Sequence, residues 1–198
     1  MNHLKFITLG PSGSNHDHVT SRYLAFHGLH DRATLEFVAD FEQGAAAVLD
    51  GRADFMVQCA VHPATAATVA KFRRGLFVID TFISASQDLA IVQRRDVAHP
   101  AALAAMRPTL DYIDPGEWER VELVATVAEV TRGLIEGRFG AGLAYASIAA
   151  THPECVRTVQ FLGTVDDAWI VYGRERTGAA RLLAWPESPA AALYRRGA

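Results

Sequence analysis

Residues 4–16 read LKFITLGPSGSNH, and this stretch decides how the chain begins to fold. Its first six residues are typical of β-structure and predict a strand over Leu4–Leu9. A Gly-Pro turn then ends the strand, and Ser14 or Asn15 is placed to cap a helix that we predict over Asn15–Phe26. A strand followed by a tight turn and a helix is the opening unit of an α/β protein.

The same alternation of strand and helix patterns continues along most of the chain. Further strands are predicted near residues 34–38, 54–58, 76–83, 89–93, 109–113, 121–124, 141–145, 156–162 and 169–172. Further helices are predicted near residues 41–49, 63–72, 101–106 and 126–135. Such alternation predicts an α/β fold with mostly parallel sheets.

Two polar segments divide this pattern into two lobes. Ser84–Asp88 separates one pair of consecutive strands, and residues 163–167 separate another pair. We therefore expect the chain to leave a first lobe at one segment and to return to it at the other. This gives a first lobe of residues 1–85 plus 165–198 and a second lobe of residues 86–164. A cleft between two such lobes collects helix N-termini and the carboxyl ends of strands, which favour anionic ligands.

Composition and charge narrow the classes of function. With 198 residues, 50% of them hydrophobic and 21% charged, the chain can bury a sizeable core and is not intrinsically disordered. A formal net charge of −3 argues against nucleic-acid binding and against a polybasic membrane anchor. No apolar run reaches the roughly 18 residues of a membrane-spanning helix. The two cysteines, Cys59 and Cys155, fit buried thiols better than a disulfide framework, so we expect a cytoplasmic protein.

Four segments together resemble the catalytic domain of prephenate dehydratase. They are ITLGPSGS at 7–14, GAAAVL at 44–49 with ADFMV at 53–57, ATVA at 125–128, and AGLA at 141–144 ahead of the strand around Trp169. The resemblance is spread over residues 4–174. It implies a type II periplasmic-binding-protein-like fold, with two crossovers between two lobes and a carboxylate ligand bound between them.

Two departures from this family change the expected reaction. The chain reads Val61-His62-Pro63 where the family carries Glu-Asn-Ser, and Asp167-Ala168-Trp169 where it carries Thr-Arg-Phe. The family's threonine assists dehydration and its arginine holds a substrate carboxylate, so ordinary prephenate dehydratase activity is not expected. The short prephenate decarboxylases of the bacilysin-pathway type also lack this threonine, and the chain resembles that branch most. We expect no regulatory ACT domain.

The resemblance and its departures lead to two alternative functions. The first is a lyase, a decarboxylase or dehydratase, that acts on a small cyclic or unsaturated carboxylic acid. The second is a non-catalytic binding or sensor protein of the same fold for a small carboxylate. Decarboxylation of an unsaturated acid requires a placed proton donor and no cofactor, so we expect none. The expected partner is a small-molecule carboxylate rather than nucleic acid or membrane, and we expect that the protein can form a homodimer.

Six residues are candidates for substrate binding: Ser12, Gly13, Ser14, Asn15, Thr126 and Tyr145. The first four form the Gly-Pro turn and the helix start, where backbone N–H groups attract an anion and hydroxyls add hydrogen bonds. The fifth offers a hydroxyl at another helix start, and the sixth a phenol at a strand end. Helix capping and core packing explain the same residues, so both interpretations stay open.

Three residues are candidates for moving a proton: His62, His16 and Asp167. His62 follows a strand and precedes Pro63, which predicts a loop over the cleft, where an imidazole can act as a general acid or base. His16 lies in the first helical turn, where it can hydrogen-bond an acid. Asp167 lies where the chain re-enters the first lobe, and a buried carboxyl group there can titrate near neutral pH. A solvated surface position is the alternative for each.

Other residues suggest chemistry less directly. The run His16-Asp17-His18 is close to a metal-binding pattern, but side chains two apart on a helix point in different directions, so no metal site is expected. Cys59 near His62 is a candidate nucleophile, with an inert buried thiol as the alternative. Three arginines are candidates for holding a carboxylate: Arg22, Arg94 and Arg174.

Overall fold

The N-terminal strand, turn and helix form as the sequence predicts. The computed structural model describes residues 3–178, 181–188, 190, 191 and 195. Its first strand, β1, spans Leu4–Leu9, and its first helix, α1, spans Asn15–Phe26. Ser14 caps α1, because its hydroxyl oxygen accepts a hydrogen bond from the N–H of Asp17 at 3.3 Å. Gly13 has a φ of 79°, a left-handed conformation that glycine adopts without strain.

The remaining elements continue the alternation through the described residues. The other strands are β2 (Ala33–Val38), β3 (Phe55–Cys59), β4 (Phe77–Ala85), β5 (Leu89–Arg94), β6 (Ala102–Met106), β7 (Arg120–Val124), β8 (Ala141–Tyr145), β9 (Val156–Gly163) and β10 (Asp166–Gly173). The other α-helices are α2 (Phe41–Leu49), α3 (Thr65–Phe72), α4 (Val127–Ile135) and α5 (Ile148–Thr151). Two short 3₁₀ helices span Arg107–Tyr112 and Pro115–Glu117.

These strands form two five-stranded sheets, one in each lobe, which confirms the predicted α/β, two-lobed fold. The first sheet has the order β2-β1-β3-β10-β4, and the second has the order β7-β6-β8-β5-β9. The chain crosses between the lobes twice, from β4 to β5 and from β9 back to β10. The predicted lobe assignment of residues 1, 2, 179, 180, 189, 192–194 and 196–198 lies outside the described residues.

Both sheets are mixed rather than mostly parallel. β1 runs parallel to β2 and β3, and β6 runs parallel to β7 and β8. The strands that follow the two crossovers run the other way: β10 is antiparallel to β3 and β4, and β5 is antiparallel to β8 and β9. The reason is that a strand returning from the other lobe lies beside the strand that left, which reverses its direction.

Two predicted elements in the second lobe are wrong. The segment Ala101–Met106, predicted as a helix, contains strand β6, and Thr109–Ile113, predicted as a strand, falls mostly in the 3₁₀ helix Arg107–Tyr112. Alanine favours helices, but β6 is a central strand of its sheet with a buried middle, where small side chains leave room for α4. Pro108 at the start of the following segment favours a helical turn over a strand.

Helices cover both faces of the first sheet. On one face, Val19 of α1 belongs to the same buried cluster as Trp169 of β10. On the other face, Phe41 of α2 belongs to a cluster with Met56 of β3. Since α1 and α2 begin just after the carboxyl ends of β1 and β2, their first turns meet at one edge of the sheet. None of the helices described is long and apolar enough to cross a membrane.

The contact between α4 and β8 gives a test of this packing. A Cβ at Gly142 of β8 would lie 2.3 Å from Cγ1 of Val130 and 3.2 Å from the backbone oxygen of Ala104. We expect Gly142→Ala to lower the free energy of unfolding by about 1–3 kcal/mol, measured by urea denaturation. The control is Gly116→Ala, whose Cβ would meet only the flexible carboxylate of Asp114 within 4 Å. Equal effects of the two substitutions would contradict the packing described.

Candidate ligand cleft between the lobes

The first turn of α1 is tied directly to the first crossover. The side-chain amide of Asn15 donates a hydrogen bond to the Ser86 hydroxyl at 2.7 Å and accepts one from the backbone N–H of Gln87 at 2.9 Å. The Ser86 hydroxyl in turn donates to the carboxylate of Asp167, at the start of β10. Both crossovers therefore meet at Asn15, and the predicted residues Asn15 and Asp167 lie in one hydrogen-bonded cluster.

Tyr145 reaches this cluster from the second lobe. It ends β8, and its hydroxyl lies against the backbone N–H of Asn15, a contact that favours the ionised phenol. Burial has the larger, opposite effect and raises the pKa of Tyr145 to about 12, so the hydroxyl keeps its proton at neutral pH. Because the Asn15 N–H faces the phenol oxygen, the phenol O–H is left to donate a hydrogen bond to an acceptor in the cleft.

His16, the next residue of α1, lies in an aromatic pocket behind this cluster. Its ring centroid is 5.4 Å from that of Phe41 and 5.1 Å from that of Trp169. Nε2 of His16 accepts a hydrogen bond from the backbone N–H of Cys59 at 3.4 Å, so the neutral ring carries its proton on Nδ1. Burial, and then the nearby charge of His62, lower the pKa of His16 to about 3.

His62 lies beside His16 and Phe41, in the same aromatic pocket. The two imidazole centroids are 5.8 Å apart, and the His62 ring is 4.9 Å from Phe41 in an edge-to-face arrangement. Nδ1 of His62 accepts a hydrogen bond from the backbone N–H of Ala64 at 3.1 Å, which fixes the ring and leaves Nε2 as the open nitrogen. Burial lowers the pKa of His62, which is less enclosed than His16. Two histidines 46 positions apart thus form one pair of neutral imidazoles.

The Gly-Pro turn already holds a carboxylate, that of the chain's own Asp17. Asp17 Oδ2 accepts hydrogen bonds from the Ser12 hydroxyl at 2.9 Å and from the Gly13 N–H at 2.8 Å. The N–H of Ser14 donates to the backbone oxygen of Pro11 at 3.1 Å. Of the three N–H groups predicted to attract an anion, the one on Asn15 therefore faces the cleft, towards Tyr145.

Thr126 lies at the same edge of the second sheet as Tyr145, but not in the cluster. It caps α4, since its hydroxyl oxygen accepts a hydrogen bond from the N–H of Glu129 at 3.0 Å. Thr126 follows β7, and β6 lies between β7 and β8 in the sheet. The structure thus accounts for Thr126 by helix capping and places it two strands away from Tyr145.

The three candidate arginines have partners within the chain. Arg174 donates to the backbone oxygen of Val48, in the last turn of α2, and to that of Ala53, which follows the helix, both at 2.8 Å. Arg94 donates to the backbone oxygen of Leu134, in the last turn of α4, at 2.9 Å. Arg22 donates to a backbone oxygen at the end of β4. These guanidinium groups stabilise helix ends and a crossover rather than forming a carboxylate clamp.

Metal and thiol chemistry find little support in the geometry. Within the residues described, no group of three or more His, Cys, Asp or Glu side chains is arranged to hold a metal ion. His16 points into the pocket, whereas His18 is exposed on the same helix. The Cys59 thiol faces the backbone oxygen of Ala168 at 3.9 Å, and burial raises its pKa, so it remains a protonated thiol.

Three residues of the cleft did not emerge from the sequence as site residues. Ser86 belongs to the polar segment that we predicted as a crossover, and a position between the lobes was the one sign in the sequence that it could belong to the site. Phe41 and Trp169 form the walls of the histidine pocket, and apolar residues in a helix start and a strand carry no signal that separates them from ordinary core. Trp169 is fully buried, and its indole N–H has no acceptor among the described residues.

Comparison with known proteins identifies the fold. No family model and no curated protein matches the chain. Among solved structures, it is similar to the prephenate dehydratase of Arthrobacter aurescens, solved with L-Phe, with a TM-score of 0.67 and 17% identity over 96% of this chain and 70% of that one. It is also similar to the prephenate dehydratase of Staphylococcus aureus, with a TM-score of 0.62 and 12% identity over 88% of this chain and 67% of that one.

The same fold occurs in proteins of another class. An ABC transporter structure from Parabacteroides distasonis matches with a TM-score of 0.54 and 15% identity, over 87% of this chain and 66% of that one. At such identities the likeness concerns the fold alone. The chain therefore has the type II periplasmic-binding-protein-like fold, which occurs both in prephenate dehydratases and in an ABC transporter protein.

Burial of His16 predicts a loss of stability in acid. The folded-state pKa of about 3 lies below the ordinary value of 6.5, so folding disfavours the protonated ring. The contribution of neutral His16 is complete above pH 6.5 and is lost as the pH falls towards 3. At pH ~4.5 the loss is about 2–3 kcal/mol in the free energy of unfolding. Urea denaturation as a function of pH measures it.

The matched variants for this prediction are His16→Gln and His99→Gln. A glutamine at position 16 can accept the Cys59 N–H bond but does not titrate, so the acid-dependent loss should shrink by most of that amount. His99 is exposed, and its replacement should leave the pH dependence unchanged. An unchanged pH dependence in His16→Gln would show that His16 is not held neutral by burial.

Proposed function

We propose that the chain binds a small unsaturated or cyclic carboxylic acid between its lobes and acts on it as a lyase, removing CO₂ or water. The observation that carries this proposal is the pairing of His16 and His62 at the cleft, with imidazole centroids 5.8 Å apart. The His16 ring is the more enclosed of the two and accepts a backbone hydrogen bond, while the His62 ring has an open Nε2. A positioned imidazole of this kind is suited to proton transfer.

Both reactions of this class need a proton from the protein. Loss of CO₂ breaks a C–C bond and sends the electron pair into the conjugated system, where a carbon then takes up the proton. Loss of water breaks a C–O bond and the leaving hydroxide takes the proton, while the electron pair of the new C=C bond comes from an adjacent C–H bond, whose proton passes to water, or from the bond to a departing CO₂. We assign this step to Nε2 of His62, because a lowered pKa makes its protonated form a ready donor. In that form Nδ1 also carries a proton, so the ring gives up the bond that it accepts from the Ala64 N–H when neutral. Neither reaction consumes an oxidant or a reductant.

Tyr145 is the proposed ligand of the substrate carboxylate. Its phenol stays protonated at neutral pH, and the Asn15 N–H lies near its oxygen, so its O–H can donate to an anion. It belongs to the second lobe, whereas His62 belongs to the first. An acid held by Tyr145 would thus lie between the lobes, and its apolar part would face the aromatic pocket around Phe41. Asp167 supports the arrangement through Ser86.

Replacement of His62 tests the assigned proton donor. We expect His62→Gln to lower kcat/KM by about 10²–10⁴-fold while binding persists, because a carboxamide can accept the Ala64 N–H bond but cannot deliver a proton. The substrates are prephenate and other cyclic unsaturated acids, followed by CO₂ release and ultraviolet absorbance. The control is His18→Gln, an exposed position on α1. Equal kinetics in wild type and His62→Gln would end this assignment.

The pH dependence of kcat/KM shows whether His62 donates or accepts the proton. If protonated His62 is the donor, kcat/KM rises as the pH falls from 7.5 through the ordinary histidine range near 6.5, and levels off below the lowered pKa of His62. His62→Gln should abolish this rise in any residual activity. A rate that falls on acidification over the same range would show that His62 accepts a proton instead.

A binding protein is the second candidate, and one observation favours it. The Gly-Pro turn is filled by Asp17, and each of the three candidate arginines donates to a backbone oxygen, so none of these three is placed as a carboxylate clamp. Thermal shift measurements with the same acids separate the two functions. A raised Tm without turnover over hours identifies a binding protein, whereas turnover that depends on His62 identifies the lyase.

A further inference from the structure

The Asp167 carboxylate carries a negative charge that no described cation of the chain balances. Its Oδ2 atom accepts the Ser86 hydroxyl, whereas Oδ1 accepts no hydrogen bond from the described residues and is not closed off from solvent. No lysine, arginine or histidine in the described part of the chain forms an ion pair with it. Because the side chain is partly buried, a bound molecule of opposite charge would stabilise it.

This negative charge acts on the wall of the aromatic pocket. Burial raises the pKa of the Cys59 thiol, and the charge of Asp167 adds to that effect. The backbone N–H of Cys59 in turn bonds to Nε2 of His16. Trp169 lies two residues after Asp167 on β10, so the two side chains share one face of the sheet, and the indole lies against the His16 ring. A ligand in the pocket is therefore within the field of this carboxylate.

Asn15 lies between Asp167 and the phenol that we assign to the ligand carboxylate. Its backbone N–H lies near the oxygen of Tyr145. Its side-chain amide donates to the hydroxyl of Ser86, which donates to Asp167. The O–H of Tyr145 and the free oxygen of Asp167 thus lie on either side of Asn15, where they can hold an anionic and a cationic group of one small molecule.

We propose that the ligand of the cleft is a zwitterion, an α-amino acid with a cyclic or unsaturated side chain, whose ammonium group binds Oδ1 of Asp167. Its carboxylate binds Tyr145, so this assignment rests on the proposed function. The ammonium group supplies the missing counter-charge through a charge-assisted hydrogen bond. The apolar side chain faces the rings of Phe41 and Trp169. A second carboxylate at the position of the ammonium group would be repelled by Asp167.

Three acids that differ in one substituent test this assignment. L-phenylglycine, phenylacetate and phenylmalonate carry an ammonium group, a hydrogen and a second carboxylate, respectively, on the same carbon. For the wild-type chain at neutral pH, we expect calorimetric titration to give affinities that fall in this order, with about 10–100-fold between the first two. Phenylacetate that binds as tightly as L-phenylglycine would overturn the assignment of the ammonium group and leave the carboxylate site intact. No binding of any of the three would contradict the carboxylate site as well.

A change of one charge at Asp167 tests the ion pair itself. Asp167→Asn keeps an oxygen that can accept the Ser86 hydroxyl, and we expect it to weaken L-phenylglycine binding by about 10–100-fold, to leave phenylacetate nearly unchanged and to strengthen phenylmalonate binding. The matched control is Asp166→Asn, the same change at the exposed neighbouring position, which should leave all three affinities nearly unchanged. Circular dichroism checks that both variants are folded, and the wild-type order of affinities stands as a test without them. An Asp167→Asn chain that keeps the wild-type preference would refute the ion pair.

Discussion

The side-chain amide of Asn15 bonds to two groups of the first crossover, the hydroxyl of Ser86 and the backbone N–H of Gln87. Through Ser86 it also reaches Asp167, the second residue of β10, the strand that follows the second crossover. The two lobes are separate sheets with separate cores, so their relative position depends on contacts of this kind. The first turn of α1 is thereby held against the connections between the lobes, and every group assigned to the cleft lies next to it.

The electrostatics of the cleft follow from the same placement. Asp17 occupies the N–H of Gly13, and the three candidate arginines donate to backbone oxygens, so the groups left in the cleft are neutral ones and the Asp167 carboxylate, which accepts the Ser86 hydroxyl. Burial keeps His16 and His62 unprotonated and Tyr145 protonated at neutral pH. A cleft of neutral donors and aromatic rings would bind an acid through hydrogen bonds and apolar contact rather than through a fixed cation. Proton transfer is the chemistry that such groups provide.

Local patterns predicted the parts of the fold that local physics controls. The Gly-Pro turn with its Ser14 cap is a signal within a few residues, and it marks where β1 ends and α1 begins. The predicted polar segment Ser84–Asp88 holds the end of β4 and the connection to β5. The alanine-rich strand β6 could not be predicted in this way, because its conformation depends on burial between two neighbouring strands. Sheet pairing at long range overrides the helix preference of alanine there.

In the candidate site, too, some features follow from local sequence and others from long-range packing. Sequence position brought His16 and His62 into the list of candidates, since both lie near the carboxyl ends of strands. Their mutual distance, and the aromatic walls around them, depend on how two helices cover opposite faces of one sheet. The Asp17 carboxylate binds the N–H of Gly13, four residues earlier in the chain. The residue types of the turn do not show in advance whether its N–H groups will bind such a carboxylate of the chain or that of a substrate.

The distance between the two lobes tests the central role of Asn15 most directly. Spin labels at Thr34→Cys in β2 and Arg120→Cys in β7, in a Cys155→Ser background, report it by pulsed electron paramagnetic resonance. We predict one narrow distance distribution in this background and a broadened or shifted one after Asn15→Ala. Ser21→Ala, which removes a hydroxyl bonded only to Asp17 on the same helix, should leave the distribution unchanged. An Asn15→Ala distribution that coincides with that of the background would contradict the account.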